Sequence, residues 1–427
     1  MKRVLIISPY FPPSNAADMQ RIRMSLPYFK ENGWEVEVVT VAPQYSDIIK
    51  DGLLIESIPK DIIIHQVKAF SKKWTSTIGL GSLALRSVCF YKKYVNQLLN
   101  KQHFDLIYFS TTQFPVCILG PYWKKKFSIP YVIDMQDPWH SDYYQNKPKA
   151  ERPKKYWFSY HLHKFLEPIA MKNVDGLISV SQAYINTLIE RYPHLKQIPN
   201  RVITFGAFKP DFELVKNQLQ SFKLIFPKGA DFINFVYVGR GGHDMKAALN
   251  LLFTAFKKGL SEHEQLFKKI RFHFIGTSYA PNGEGVPTIK PIAHEMGIAA
   301  YVNEQTDRIS FHDGIYTLLM ADVLLIIGSD DPQYTASKIY PYILAEKPLL
   351  AFFHPDSSAA QIIKNCNAGT VISLIESKDL TIEMTYNYLL EIVNHKTTSS
   401  PISWKLFEPY SAESMTKNQC ILFNKVI

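Results

Sequence analysis

Cationic side chains follow two apolar segments in the second half of the chain. Arg240 and Lys246 bracket the sequence Gly-Gly-His-Asp-Met after the segment 235–238, and Lys338 follows the segment 323–327. Glycines after a strand let the backbone approach a ligand closely, and N–H groups at the next helix start bind anions. A guanidinium binds phosphate through a planar fork, and an ammonium adds a point charge. We therefore predict that these three cations bind a diphosphate; the alternative is that each is an ordinary surface side chain.

Two adjacent acids, Asp330 and Asp331, lie in the turn before Lys338. Their carboxylates could accept hydrogen bonds from the hydroxyls of a sugar or a ribose. They could also hold a divalent metal on a diphosphate. Asp-x-Asp spacing does not occur here and the cations already supply positive charge, so we expect no metal. The alternative is an ordinary loop that a Ser or Thr caps.

A second group of polar residues follows predicted strands in the first half of the chain. Asp134, Asp137 and His140 end the strand 131–134, where a carboxylate and a histidine could orient or deprotonate a hydroxyl. The alternative is that Asp137-Pro138 is a turn and His140 a surface residue. Further candidates follow the predicted strands 3–8 and 104–108: Asn15, Asp18, Arg21, Ser110 and Thr111. No arrangement typical of a covalent nucleophile occurs.

The order of predicted elements places both groups at strand ends. Strand 3–8, helix 19–31 and strand 35–41 form a first β-α-β unit, and strand 235–238 with helix 246–257 begins a second series. A Gly-x-Gly-x-x-Gly fingerprint is missing from the first loop. In the second series we also expect a strand at 309–311, and in the first a helix at 165–172. Strands alternate with helices twice, which predicts two similar α/β domains.

We expect four segments: an N-terminal domain at 1–206, a linker at 207–231, a second domain at 232–410 and a terminal helix at 411–427. The terminal helix is expected to cross back to the first domain. Ligands of doubly wound sheets bind beyond the carboxyl ends of the strands.

Composition is that of a globular protein, with 46% hydrophobic and 20% charged residues over 427 positions. A formal net charge of +10 fits nucleic acid, a membrane surface or anionic substrates equally well. No basic stripe with interleaved aromatic residues favours nucleic acid. Four widely spaced cysteines and the lack of a membrane-spanning run predict a soluble or peripheral protein in a reducing compartment.

The basic loop 147–155 precedes Tyr156, Trp157 and Phe158. A solvated surface is one interpretation of this segment. The other is a peripheral contact with anionic lipid, although no clean amphipathic helix carries the charge.

Several segments together resemble a known family. They are the residues 6–13 (Ile-Ile-Ser-Pro-Tyr-Phe-Pro-Pro), 129–139, 174–181, 236–240 (Val-Tyr-Val-Gly-Arg), 321–326 and 337–345. In this order and spacing, over nearly the whole chain, the sequence resembles the family 4-type glycosyltransferases of the GT-B fold. These are retaining sugar transferases with two facing Rossmann-like domains and a cleft between them.

The resemblance implies that the second domain binds a nucleoside diphosphate sugar and the first an acceptor. Arg240 and Lys246 match the arginine and lysine that hold the donor diphosphate, and Asp137 or His140 would orient the acceptor. The implied donor-binding residues are Gly239, Gly241, Gly242, Gly276, Thr277, Glu304, Asp330, Asp331, Thr335, Ser337 and Lys338. Two glutamates of the family are replaced by Gln333 and Pro341, so sugar and ribose recognition must differ, through Asp330, Asp331 or Glu304.

We therefore expect a metal-independent retaining transferase with no cofactor beyond the nucleotide sugar. Its acceptor would be a glycan or a lipid-linked intermediate of bacterial surface polysaccharides or glycolipids. We expect it in the cytoplasm, at the inner face of the cell membrane where it contacts lipid. The alternatives are a nucleotide-sugar epimerase of the same fold, and a non-catalytic protein that binds a sugar or nucleotide.

Overall fold

The computed structural model describes residues 1–77, 79–142, 145, 148, 152, 156–229, 231–280, 282–332, 338–395 and 401–427. The chain divides into two compact units. Unit 1 comprises residues 1–206 and 410–427, and unit 2 comprises residues 207–409.

Unit 1 is built on a parallel sheet. Its strands are β1 (Lys2–Ile7), β2 (Trp34–Val41), β3 (Ile63–Val67), β4 (Leu106–Ser110), β5 (Tyr131–Met135), β6 (Gly176–Ser179) and β7 (Asn200–Val202). They lie in the order β3-β2-β1-β4-β5-β6-β7, and every pairing is parallel. The helices are α1 (Met19–Ser25), α2 (Lys72–Thr75), α3 (Leu83–Leu99), α4 (Leu119–Phe127), α5 (Tyr156–Met171) and α6 (Gln182–Arg191). Helices cover the sheet, which is why its central strands are continuous apolar runs.

Unit 2 repeats this plan. Its strands are β8 (Ile233–Val238), β9 (Ile270–Ile275), β10 (Val302–Gln305), β11 (Val323–Ile327), β12 (Leu349–Phe353) and β13 (Thr370–Ser373), in the parallel order β10-β9-β8-β11-β12-β13. The helices are α7 (Lys209–Asn217), α8 (Lys246–Glu262), α9 (Glu264–Phe267), α10 (Lys290–Glu295), α11 (Phe311–Met320), α12 (Ile339–Leu344), α13 (Ser358–Asn365), α14 (Lys378–Val393) and α15 (Trp404–Phe407). The predicted α/β class with Rossmann-like domains is confirmed.

The last helix, α16 (Ala412–Val426), belongs to unit 1. The ring of Phe423 lies 5.4 Å from Trp34 and 4.9 Å from Tyr108, between ring centroids. Gln419 Nε2 also donates to the Ser25 hydroxyl on α1 at 3.0 Å. The apolar face of α16 therefore completes the core of unit 1. Among the described residues, no helix is long and apolar enough to cross a membrane.

The described residues of segment 207–231 belong to unit 2. Helix α7 packs against α11, where the Asp211 carboxylate lies 3.7 Å from His312 Nε2. The ring of Phe222 stacks on Tyr316 at 5.4 Å between centroids. The prolines and the charged residues of this segment therefore lie where the chain enters unit 2.

The prediction of a strand at 309–311 is wrong. The third strand of unit 2 is β10 (Val302–Gln305), and Phe311 instead begins α11. The Ser310 hydroxyl accepts from the backbone N–H of Asp313 at 3.1 Å, which is an N-cap that commits the following residues to a helix. Helix α1 is also shorter than predicted, because the chain turns at Leu26-Pro27.

Strand order reverses at one place in each sheet. In unit 1 this occurs between β1 and β4, and in unit 2 between β8 and β11. At such a switch point the following loops leave in opposite directions and open a crevice beyond the carboxyl ends of the strands. The loop 239–242 follows β8, and residues 328–332 follow β11, the two strands at the switch point of unit 2.

Candidate functional site

The loop after β8 is held by hydrogen bonds from three directions. The Tyr342 hydroxyl on α12 accepts from Val238 N at 2.8 Å and donates to Val238 O at 3.2 Å. Gly239 N donates to Ile275 O at 2.9 Å. The Tyr237 hydroxyl donates to Arg240 O at 2.8 Å. The backbone that carries Arg240 is therefore fixed before any ligand binds.

Lys338, which precedes α12, reaches this loop. A Cβ atom on Gly239 would lie 2.5 Å from Lys338 Nζ and 3.0 Å from the Tyr237 hydroxyl, so a side chain at this position would displace the ammonium. Lys338 Nζ also lies 5.8 Å from the centre of the Tyr237 ring. Burial, followed by repulsion from Arg240 and Arg308, lowers the pKa of Lys338 to about 8. An anionic ligand would stabilise the charged form of Lys338, because it would offset the burial and the repulsion from the two arginines.

Arg240 is half-exposed and forms an ion pair with Asp244. Its Nη2 lies 2.6 Å from Asp244 Oδ2, and the two side chains are 43% and 46% exposed. An exposed pair of this kind contributes about 0–1 kcal/mol. The pair therefore orients the guanidinium at little energetic cost to ligand binding.

Arg308 is a third cation of this cluster, and the sequence did not predict it. It follows β10, and its guanidinium lies 5.2 Å from the centre of the Tyr279 ring, which is 70% exposed. A positive φ of 73° at Gly276 turns the chain after β9 so that Ser278 N donates to Thr306 O at 3.0 Å. The expected strand at 309–311 had placed Arg308 at the amino end of a strand. Correct assignment of β10 places it at the carboxyl end, with the other cations.

Glu304 has a structural role. Its carboxylate accepts from Thr277 Oγ1 at 2.8 Å and from the backbone N–H groups of Thr288, Ile289 and Lys290 at 3.0, 3.0 and 2.7 Å. These bonds join the end of β10 to the loop after β9 and to the start of α10. Thr277 is 4% exposed. Both oxygens of the Glu304 carboxylate accept hydrogen bonds within unit 2, and Thr277 is buried. Glu304 and Thr277 are therefore not part of the proposed donor site.

Lys246 is the first residue of α8 and is exposed. No hydrogen bond or ion pair joins it to another described side chain, and the positive charges that act on Lys338 are those of Arg240 and Arg308. Gly241 is buried, and its N–H donates to Thr277 O at 2.8 Å, whereas Gly242 precedes a 3-10 turn leading into α8. Asp330 and Asp331 are exposed after β11.

Three predicted positions, Gln333, Thr335 and Ser337, lie outside the described residues. Pro341 is the third residue of α12. Proline fits there because the first N–H groups of a helix have no intrahelical partner.

At the switch point of unit 1, Asp18 joins the loops after β1 and β4. Its Oδ2 accepts from Thr111 Oγ1 and Thr112 N, both at 2.9 Å. Burial raises the pKa of this carboxyl. Asp18 and Thr111 are almost completely buried, which does not fit their predicted direct contact with an acceptor; they shape the loops instead. Asn15 is half-buried, and its backbone N–H donates to Ile49 O at 2.8 Å.

Arg21 and Ser110 are also buried rather than facing a ligand. Arg21 Nε lies 2.6 Å from Asp134 Oδ2, and neither side chain is exposed. The same oxygen accepts from Tyr108, Ser110 and Gln136 at 3.0–3.2 Å. The prediction that Arg21 and Ser110 bind an acceptor is corrected, because both serve a buried ion pair beneath the sheet edge.

Asp137 and His140 lie in different surroundings. Asp137 is an exposed residue, yet partial burial of its carboxyl raises its pKa. Burial, followed by the charge of Asp137, raises the pKa of Tyr184 near the start of α6. His140 Nε2 lies 3.2 Å from Glu167 Oε1 and from Arg191 Nη1. Arg191 is the last residue of α6, about 15 Å from the carboxyl edge where the helix starts. His140 therefore lies near the carboxyl end of α6, whereas Asp137 lies near the carboxyl edge of the sheet.

His140, Glu167 and Arg191 line a pocket of about 220 Å³ between α6 and the segment after β5. Within it Glu167 is completely buried and also accepts from Tyr192 at 3.0 Å. Nearby, Trp139 Nε1 donates to His163 Nδ1 at 2.8 Å, and burial lowers the pKa of His163. Among the described residues, no group of three or more His, Cys, Asp or Glu side chains could hold a metal ion.

No protein-family model matches the sequence, and no curated protein matches it. Solved structures match over nearly the whole chain. Sucrose-phosphate synthase from Thermosynechococcus elongatus is 14% identical, with a TM-score of 0.60 over 99% of this chain and 98% of that one. A glycosyltransferase from Rickettsia africae is 13% identical, with a TM-score of 0.59 over 100% and 98%. TarM from S. aureus, solved with UDP, is 11% identical, with a TM-score of 0.56 over 99% and 100%. The chain has the GT-B fold of these proteins.

Proposed function

We propose that the protein transfers a sugar from a nucleoside diphosphate sugar to a hydroxyl group, with retention at the anomeric carbon. The observation that carries this proposal is the grouping of Arg240, Lys338 and Arg308 at the switch point of unit 2. Three cations and the fixed loop backbone suit a diphosphate better than a neutral ligand. Retention rests on the resemblance to the family 4-type glycosyltransferases.

The site chemistry supports an electrostatic mechanism. When the bond between the sugar C1 and the diphosphate oxygen breaks, negative charge develops on the leaving diphosphate. Preorganised cations stabilise that charge without reorganisation at the moment of reaction. The acceptor oxygen forms the new bond to C1, and its proton passes to the leaving diphosphate. In this scheme neither a metal ion nor a protein base is required.

Unit 1 would bind the acceptor near the ends of β4 and β5. Asp137 is the carboxylate available there, since it is exposed and lies close to Tyr184. We propose that it orients the acceptor hydroxyl. The acceptor would be a glycan or a lipid-linked sugar of a bacterial surface polysaccharide or glycolipid, and the enzyme would work in the cytoplasm at the inner face of the membrane.

The test is a panel of nucleotide sugars that varies the base and the sugar. We expect one or two donors to release their nucleoside diphosphate, and the matching diphosphate to bind in calorimetry. Lys338→Ala should weaken that binding by about 1–3 kcal/mol. A matched control is Lys257→Ala, an exposed lysine on α8 of the same unit.

Two results would contradict the proposal. Failure of every nucleoside diphosphate to bind would favour a non-catalytic protein of the same fold. Conversion of a nucleotide sugar to its epimer without an acceptor would assign epimerase activity. Identical affinity of the Lys338→Ala and Lys257→Ala variants would overturn the site while leaving the activity to be located elsewhere.

A further inference from the structure

One side of helix α5 is exposed and largely apolar. Its exposed residues recur at intervals of three and four, which places them on one side of the helix. They are Trp157, Phe158, His161, Lys164, Phe165, Pro168 and Ile169; Ser159 is the exposed residue of α5 outside this set. Trp157 is 71% exposed and Phe165 is 68% exposed. The opposite side, with Leu166 and Ala170, packs into the core of unit 1. Helix α5 is thus anchored by one side and presents aromatic residues on the other.

A neighbouring segment also exposes aromatic side chains. A Cβ atom on Gly79 would lie 2.8 Å from Cε1 of Phe158, so the chain after α2 lies directly against α5. Trp74 on α2 is 80% exposed, and Phe70 just before it is 53% exposed. We call the exposed residues of α5 together with Phe70 and Trp74 the aromatic face.

The exposed charged residues of these segments are all lysines. Residues 70–77, 79–82 and 156–172 include Lys72, Lys73, Lys164 and Lys172. Their one acidic residue, Glu167, is completely buried and paired with Arg191. Lys72 pairs with Asp47 from another segment, which leaves the other three lysines to set the charge of the surface. The aromatic face is therefore bordered and interrupted by positive charge.

This combination fits a lipid surface better than a protein partner. Lysine is depleted at the centres of protein interfaces, yet Lys164 lies in the middle of the aromatic face. Helices that lie in the plane of a membrane combine Trp and Phe with Lys, whose long stem lets the charge reach the headgroups. We infer that the aromatic face docks onto a bilayer containing anionic lipids, with α5 parallel to the surface. This docking surface deepens the membrane location given in the proposed function, and vesicle binding tests it without any measurement of glycosyl transfer.

The experiment measures co-sedimentation of the full chain with vesicles. Vesicles of phosphatidylcholine with phosphatidylglycerol should bind the protein, those of phosphatidylcholine alone should bind it less, and added salt should weaken binding. Replacing Trp157 and Phe165 by Ser should lower the partition at least about tenfold. Lys164→Glu should lower it selectively for anionic vesicles.

Matched controls are available in unit 2. Val286 and Ile375 are 75% and 56% exposed, and replacing both by Ser should leave vesicle binding unchanged. Lys257→Glu is the control for the charge reversal. Because all of these side chains are exposed, circular dichroism should show the same fold for each variant.

Several outcomes would overturn the inference. One is failure to bind anionic vesicles, and another is unchanged binding by the Trp157→Ser/Phe165→Ser double variant. Dimerisation in solution that this double variant abolishes would assign the aromatic face to contact between copies of the chain. Equal binding to neutral and anionic vesicles would contradict the role of the lysines.

Discussion

Lys338 holds its ammonium nitrogen 5.8 Å from the centre of the Tyr237 ring. Tyr237 in turn donates its hydroxyl to the carbonyl oxygen of Arg240 at 2.8 Å. One aromatic residue on β8 thus supports two of the three cations of the candidate diphosphate site. The cluster concentrates positive charge before a ligand arrives, and its properties should change when an anion neutralises it.

The first prediction concerns pH. Burial and the neighbouring arginines lower the pKa of Lys338 to about 8, so the ammonium loses its proton as pH rises through that value. Affinity for a nucleoside diphosphate should fall by up to about tenfold between pH 7 and pH 9. Calorimetry at constant ionic strength measures this, and binding near pH 8 should take up protons.

Lys338→Arg is the control for this prediction, because a guanidinium stays charged over the whole range. Its affinity should vary less with pH. The ligand-free protein has the opposite dependence: since the folded pKa lies below the ordinary value of 10.5, stability should rise as pH rises from about 8 toward 10.5. Equal pH profiles for the wild type and Lys338→Arg would show that another group titrates.

The second prediction is that Arg308 binds the donor. Arg308→Ala should weaken nucleoside diphosphate binding by about 1–3 kcal/mol, because a charge-assisted hydrogen bond is lost. Arg271→Ala is a matched control: its guanidinium also lies 5.2 Å from a tyrosine ring, that of Tyr301, but at the amino end of β9. Affinities from calorimetry that change equally in the two variants would remove Arg308 from the site.

The third prediction uses the ion pair between Arg240 and Asp244. Removing the carboxylate charge with Asp244→Asn should tighten diphosphate binding by about 0.5–1 kcal/mol, since an exposed opposing charge is lost. Arg240→Ala should change affinity in the opposite direction. Weaker binding by Asp244→Asn would mean that orientation of the guanidinium matters more than its net charge.

The sequence predicts much of the fold because buried parallel strands are continuous apolar runs. The segment 323–327 coincides with β11, and the predicted strand 235–238 lies within β8. Strand β10, Val-Asn-Glu-Gln, has one apolar residue and was missed. It lies at the edge of the sheet, where burial imposes less on the sequence. Missing β10 also hid Arg308.

The candidate site was less predictable, because residue type alone does not distinguish a buried polar group from an exposed one. Asp18 and Glu304 accept hydrogen bonds from several other segments. Those partners are set by the fold, over separations of up to 94 residues. The exposed side of α5 illustrates the converse. Its aromatic residues at helical spacing are typical of a core, yet the helix turns them to solvent.

The fourth prediction concerns the stability of unit 1. Arg21 and Asp134 form an ion pair at 2.6 Å with no exposure of either side chain. Removing one partner leaves a buried, uncompensated charge, so Arg21→Met and Asp134→Asn should each destabilise the unit by about 3–5 kcal/mol. The double variant should lose less than the sum of both. Five of the six tryptophans lie in unit 1, so denaturant unfolding followed by tryptophan fluorescence reports mainly on this unit.

Lys124 and Asp175 provide the comparison that isolates burial. Their charged atoms also lie 2.6 Å apart, but the side chains are 36% and 21% exposed. Solvent screens this pair, so Lys124→Met should cost about 1 kcal/mol or less. If Lys124→Met and Arg21→Met prove equally destabilising, burial is not what makes the Arg21–Asp134 pair important. If the Arg21→Met/Asp134→Asn costs are simply additive, the two side chains stabilise unit 1 through their separate backbone and hydroxyl partners instead of through each other.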